Sequence, residues 1–125
     1  MCLNYYGLKT YDDNNKVRIG YKIFYKTPNG YENRFFNFKN GYHIGDWIEN
    51  KPCKYPIECR SYYPEQFKPK HYKAGFHFYS TKPNWNMKNS NMRIVECICE
   101  NITATGRQDN MSCFVAQSYR LMKEI

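Results

Sequence analysis

The clearest pattern in the chain runs from Lys16 to Lys26, KVRIGYKIFYK. Val17, Ile19, Tyr21, Ile23 and Tyr25 fall on one parity, and Lys16, Arg18, Lys22 and Lys26 on the other. Period-two alternation predicts a strand with the apolar parity buried and the basic parity in water. Thr27-Pro28-Asn29-Gly30 follows as a turn signal: Pro28 presets its own φ, and Asn29-Gly30 supplies positive φ. A second strand from Tyr31 to Phe38, YENRFFNF, completes a β-hairpin.

Tyr42 to Asn50, YHIGDWIEN, fits either a short strand or a helical turn. Residues 51–70 hold four of the six prolines, which predicts an irregular loop with an edge strand at most. So long an excursion suits a binding loop or a contact between subunits. Ala74 to Tyr79 reads as a strand. Ser80 or Thr81 can then cap a short helix, with Pro83 in its first turn and an end near Asn89. In the last third, MRIVECICE is a strand, NITATG continues or bulges it, GRQDN turns, and MSCFVAQSY returns antiparallel. The tail RLMKEI extends that strand or ends as a helical turn. The sum is an α+β fold: one small domain over residues 1–125, mainly antiparallel sheet with one or two short helices.

Composition sharpens this picture. A chain of 125 residues is long enough to bury a core unaided. With 13 Tyr and 8 Phe among them, that core is built from rings, many of the Tyr keeping the hydroxyl wet. The net charge of +8, interleaved with aromatics in YKIFYK and QFKPKHYK, suits an anionic partner with stackable rings, a nucleotide or a nucleic acid. The plain alternative is solubility combined with a biased coding composition. No apolar run approaches a membrane span, and the first residues lack the pattern of a signal peptide. The expectation is a cytoplasmic protein with no membrane partner, with reduced cysteines and with the triplets at Asn101 and Asn110 left unglycosylated.

Candidate chemistry is sparse. Cys53 and Cys59, Cys97 and Cys99, and Cys113 do not show the spacing of structural zinc sites, so no metal or cofactor is expected and buried thiols are. His43, His71 and His77 could serve as bases beside Asp46, Glu96, Glu100 or Asp109, yet no hydrolase, zinc-protease or phosphate-loop motif accompanies them. A lone histidine in an aromatic strand such as AGFHFYST is more often structural, and no catalytic residue is assigned. The turn around Gly106 is the better candidate. Arg107 offers a planar five-donor fork suited to phosphate, while Gln108, Asp109 and Asn110 can read ribose hydroxyls or a base edge. Arg93, Arg34, Arg60 and Trp85 could contribute from the sheet face and the helix. The alternative for the turn is an ordinary polar hairpin loop. Basic and aromatic strands also fit a single-strand nucleic-acid platform, although the signature of the RNA-recognition motif is missing.

The early hairpin, the central GFHFYST with its short helix, and the closing RIVECICENITATG and MSCFVAQSYRLMKEI resemble the first Thoeris anti-defence family, the phage sponges. That resemblance implies a non-catalytic protein that binds cyclic ADP-ribose isomers, and in some members cyclic oligonucleotides, inside an infected bacterium. It also implies a homo-oligomer, dimer or hexamer, with ligand near the subunit contacts. On this reading Arg107 holds pyrophosphate, with Arg93 as a second cation. Phe78 and Trp85 stack on adenine, His77 supplies an imidazole to the pocket wall, and Asp109 and Asn110 read ribose. The fragment GFH also resembles small ADP-ribosyltransferase-like domains. The carboxylate pairing of those enzymes is absent here, since Glu96 and Glu100 lie four apart. A nucleotide-processing enzyme of that fold and a basic single-stranded nucleic-acid-binding protein are the alternatives.

Overall fold

The computed structural model describes residues 3–4, 7–11, 16–33, 41–50, 57–58, 71–85 and 90–125. Among the described residues nine strands run in chain order: β1 (Lys9–Thr10), β2 (Arg18–Thr27), β3 (Gly30–Asn33), β4 (Trp47–Glu49), β5 (Ile57–Glu58), β6 (His71–Tyr72), β7 (Phe76–Tyr79), β8 (Met92–Gln108) and β9 (Met111–Glu124). All their pairings are antiparallel. Seven strands form one sheet, and β5 and β6 form a separate small ribbon.

The organising element is the long β8–β9 hairpin. Its two turn residues, Asp109 and Asn110, have φ of 52° and 60°, the double positive φ of a type I′ turn whose twist matches the strands it joins. Asn101, at φ 56°, lies beside a bulge where Thr103 is the extra residue between the pairs Ile102–Ala116 and Ala104–Val115. A second register shift, with Met122 extra, falls between the pairs Glu96–Lys123 and Cys97–Leu121. Bulges of this kind bend a strand and increase its twist, and here the hairpin curls enough for its neighbours to meet. β2 pairs along one edge of β8, β7 and β4 lie along the outer edge of β9, and β7 returns to β2 at the single pair Tyr21–Tyr79. The pairings β2–β8–β9–β7 therefore close a ring.

Inside the ring sit Phe24, Phe78, Val95, Cys97, Cys99, Phe114, Ala116, Tyr119 and Leu121, all between 0% and 1% exposed. Gly20 makes the closure possible, because a Cβ there would stand 2.6 Å from Phe114 Cζ and 2.8 Å from Phe78 Cβ. A second apolar layer covers the opposite face of the hairpin, where Leu3 and Tyr72 pack over Tyr79, Ala104, Cys113 and Val115.

Two expectations are overturned. The α+β assignment fails, since no helix occurs among the described residues and every described element is a strand. The segment thought to be helical bends at Ser80 and Thr81 and runs on without regular structure to Trp85. The Ser80 N–H, placed to start a helix, is bonded to the Ser112 carbonyl at 2.9 Å, and Pro83 is buried. Residues 86–89 of that segment lie outside the described residues. The tail, too, stays in strand β9 as far as Glu124.

The second correction concerns β2, whose alternation is inverted over its first half. Arg18 pairs with buried Cys99, Gly20 with Cys97 and Lys22 with Val95, so these positions of the basic parity face the interior, and on the other parity Val17 and Ile19 are 59% and 54% exposed. Farther along the expectation holds: Ile23 is buried, with Tyr21 packed on the same apolar layer, and Lys26 is exposed. Aromatic faces make the inversion tolerable: the Arg18 guanidinium lies 4.6 Å from the centre of the Phe114 ring and Lys22 Nζ 5.3 Å from that of Phe78. A cation over a ring face gains about 0.5–2 kcal/mol.

The remaining strands stand as expected, with two changes at the turns: in the hairpin of β2 and β3 Gly30 takes positive φ but Asn29 does not, and in the closing hairpin with its bulge Gly106, Arg107 and Gln108 belong to β8, leaving Asp109 and Asn110 as the turn; the strand over Phe76–Tyr79 is present. The ambiguous 42–50 stretch resolves into a turn and β4. The second strand beyond Asn33, Arg34, Cys53, Cys59, Arg60 and nearly all of the proline-rich loop lie outside the described residues. No helix among the described residues is long and apolar enough to cross a membrane.

Candidate anion-binding face

Beyond the ring, the β8–β9 hairpin continues toward its turn. Its inward side there carries Thr105 opposite Phe114 and Arg107 opposite Ser112. Ser80, one step past the end of β7, lies beside Ser112 through the backbone bond described above. Arg18 reaches the same place from β2, its Nη2 donating to Ser80 Oγ at 3.5 Å while its guanidinium covers Phe114. Tyr11 closes the far side, its hydroxyl 3.3 Å from Thr105 Oγ1. Two arginines and four hydroxyls thus lie on one side of the hairpin, with successive same-side positions about 7 Å apart along each strand.

The charge on this face is not neutralised locally. Arg107 Nη2 donates to the Asn110 carbonyl at 2.7 Å, which secures the turn and leaves the rest of the fork unused. Neither Arg18 nor Arg107 has an ion-pair partner among the described residues. The nearest acid in sequence, Asp109, accepts from the Tyr79 hydroxyl at 3.2 Å on the opposite side of the hairpin. Guanidinium groups with spare donors beside hydroxyls suit a phosphate, which offers several acceptors and takes planar forks well.

Other residues expected in the site are distributed differently. Arg93 lies at the opposite end of β8, on the order of 40 Å along the strand from Arg107, and donates to the carbonyls of Ser90 and Met92. It cannot share a small ligand with Arg107. Phe78 is 1% exposed and stacks on Phe114 at 5.5 Å, so it is core and not a platform for a base. Trp85, 40% exposed, meets Tyr79 edge to face at 5.5 Å on the Asp109 side of the hairpin. Asn110 contributes its carbonyl to the turn.

His77 is buried behind the N-terminal segment. Tyr72 accepts a hydrogen bond from the Leu3 N–H at 3.0 Å, so its own proton is available to His77 Nε2, 2.8 Å away. A hydrogen bond to the Gly75 backbone on the other side of the ring fits a proton on Nδ1, the tautomer in which Nε2 accepts from Tyr72. Burial, assisted by the Lys22 charge, pushes the imidazole down to about 3. A ring held neutral and out of solvent is a poor general base. The thiols are equally inert: burial pushes Cys97 and Cys113 up to about 12 and Cys99 higher, and a thiol is nucleophilic only as thiolate. Among the described residues no three of His, Cys, Asp or Glu come together to hold a metal.

Sequence reasoning found Arg107 but not Arg18, Ser80, Ser112, Thr105 or Tyr11. One signal pointed to Arg18: a glycine inside a strand marks close approach of another chain segment, and Gly20 shares the parity of Arg18 and Lys22. Comparison with protein-family models, with curated proteins and with solved structures returns no match for this chain.

Proposed function

We propose that the protein captures a small phosphate-bearing ligand on the face formed by Arg18, Arg107, Ser80 and Ser112, without chemical turnover. The pairing of two guanidinium groups on one face with hydroxyls between them, and no carboxylate among the described residues of that face, carries the reading. The ligand class is a nucleotide, and the resemblance to the Thoeris anti-defence sponges nominates a cyclic ADP-ribose isomer or a cyclic oligonucleotide sequestered in an infected cell. A sponge acts by stoichiometry and needs slow release more than rate. The neutral, buried His77 and the inert thiols favour binding over a nucleotide-processing enzyme.

The test is direct. The protein is incubated with cyclic ADP-ribose isomers or cyclic dinucleotides, desalted, heat-denatured and chromatographed. Intact ligand should return in stoichiometric amount, and a product accumulating over many turnovers would overturn the reading. Arg107→Ala and Arg18→Lys should each weaken capture about tenfold or more, the loss expected for a charge-assisted hydrogen bond. A polymer would reveal itself through a much steeper loss of affinity with salt, because it neutralises many phosphates at once.

A further inference from the structure

The anion-binding face meets an aromatic ring at its β1 edge. Lys9 pairs with Thr105, and the Tyr11 N–H donates to the Thr103 carbonyl at 3.0 Å, which continues the same register. Directly opposed residues of an antiparallel pair project to one side, so Lys9 and Tyr11 stand on the side of β8 that carries Thr105 and Arg107. The Tyr11 hydroxyl, 3.3 Å from Thr105 Oγ1, shows that its side chain leans along β8 toward Arg107. One same-side step of about 7 Å separates Thr105 from Arg107. Lys9 has no ion-pair partner among the described residues, so this edge adds positive charge to the face and brings no acid.

Three large aromatic side chains are exposed among the described residues: Tyr11 at 37%, Trp47 at 37% and Trp85 at 40%. Both tryptophans are engaged elsewhere. The Arg120 guanidinium lies 5.6 Å from the centre of the Trp47 ring, and the Trp47 indole N–H donates to Glu49 at 3.1 Å. Trp85 stands against Tyr79 on the Asp109 side of the hairpin. Tyr11 has neither a second ring nor a cation against it among the described residues. Its side-chain bond runs through the hydroxyl, at the rim of the ring, and leaves the π face free. A ring held by its hydroxyl and its own backbone is ordered before a ligand arrives, which lowers the cost of stacking on it. Cations and hydroxyls alone would serve a bare phosphate; a free aromatic face beside them serves a ligand that also carries a flat ring.

We infer that Tyr11 is the residue that selects a base-bearing ligand, the nucleobase stacking on its ring while Arg107 and Arg18 hold phosphate and Lys9 adds charge at the same edge. The inference rests on the phosphate capture proposed above and goes beyond it by requiring the base and naming its platform. Stacking on an aromatic ring is tolerant of base identity. Tyr11 therefore separates nucleotides from sugar phosphates and inorganic phosphates without choosing among bases.

Isothermal titration calorimetry with ADP and with inorganic pyrophosphate tests it, because the two share a diphosphate and differ by the nucleoside. The wild type should bind ADP about tenfold tighter or more, the effect of one base–ring stack. Tyr11→Leu should lower ADP affinity to the level of pyrophosphate and leave pyrophosphate affinity unchanged, with an unaltered circular dichroism melt. Tyr11→Phe, which keeps the ring and loses only the hydroxyl, should retain the preference. A wild type that binds both ligands equally overturns the inference while phosphate capture stands. So does a Tyr11→Leu variant that weakens both by the same factor, or a Tyr11→Phe variant as poor as Tyr11→Leu. Binding of neither ligand up to about 1 mM would overturn the capture itself, and the inference with it.

Discussion

The imidazole of His77 receives the Tyr72 hydroxyl at 2.8 Å, and Tyr72 in turn receives the Leu3 N–H at 3.0 Å. The N-terminal segment is thereby joined to the neighbouring strands β6 and β7 through the Tyr72 hydroxyl. Protonating that ring would require Tyr72 to give up its donor role in a site that burial makes hostile to charge. The folded pKa of about 3 lies below the roughly 6.5 of an unfolded histidine, so the unfolded chain takes up the proton first as pH falls. The stability that His77 contributes is therefore complete above about pH 6.5 and is lost progressively between there and about pH 3. Urea midpoints should fall over this window. His77→Phe should be less stable at pH 7 by about 0.5–1.5 kcal/mol, the net contribution of the lost buried hydrogen bond, and its midpoint should fall less between pH 6.5 and 4. Parallel curves for the two proteins would show that His77 does not carry this dependence.

At the level of elements, the hairpin geometry is written in asparagines and one aspartate. Asn101, Asp109 and Asn110 all adopt positive φ, which Asn and Asp tolerate and β-branched residues do not. Asn101→Val should cost about 1–2 kcal/mol in thermal or chemical denaturation, while Asn101→Gly should be close to neutral; equal losses would mean that the bend does not depend on backbone conformation. Local signals of this kind explain why the bulge and turn of the last hairpin were legible from sequence. The inversion of β2 was not, because alternation gives two faces without saying which is inside. That choice was made by the stacked Phe78–Phe114 pair, which approaches Gly20 and offers ring faces to Arg18 and Lys22. The missing helix has a similar origin, since the Ser80 N–H and the Pro83 ring are committed to packing that only the assembled ring supplies. Arg107 was legible as a phosphate ligand by its chemistry. Its partner Arg18 was hidden behind the assumption that basic residues of a strand face water.

Across the whole molecule, ring closure is uneven. Residues Ile94 to Cys99 of β8 are held on one edge by β2 and on the other by β9, whereas β2 and β7 share only the pair Tyr21–Tyr79. That seam is reinforced by the two inward cations: Lys22 Nζ donates to the His77 carbonyl at 3.2 Å and Arg18 to Ser80 Oγ at 3.5 Å. Both bonds cross from β2 to β7. Burial pushes Lys22 down to about 8, yet at neutral pH it remains mostly the ammonium that makes this bridge. Amide exchange should accordingly be slowest along the middle of β8 and fastest, among the ring strands, at the β2–β7 seam. Lys22→Ala should accelerate exchange over residues 76–79 while leaving residues 94–99 nearly unchanged. Uniform acceleration would mean that the ring opens as one unit and the seam has no separate stability. Because Arg18 belongs both to this seam and to the proposed anion face, a bound phosphate that draws its guanidinium outward would alter exchange across the seam, which makes the same measurement a reporter of ligand.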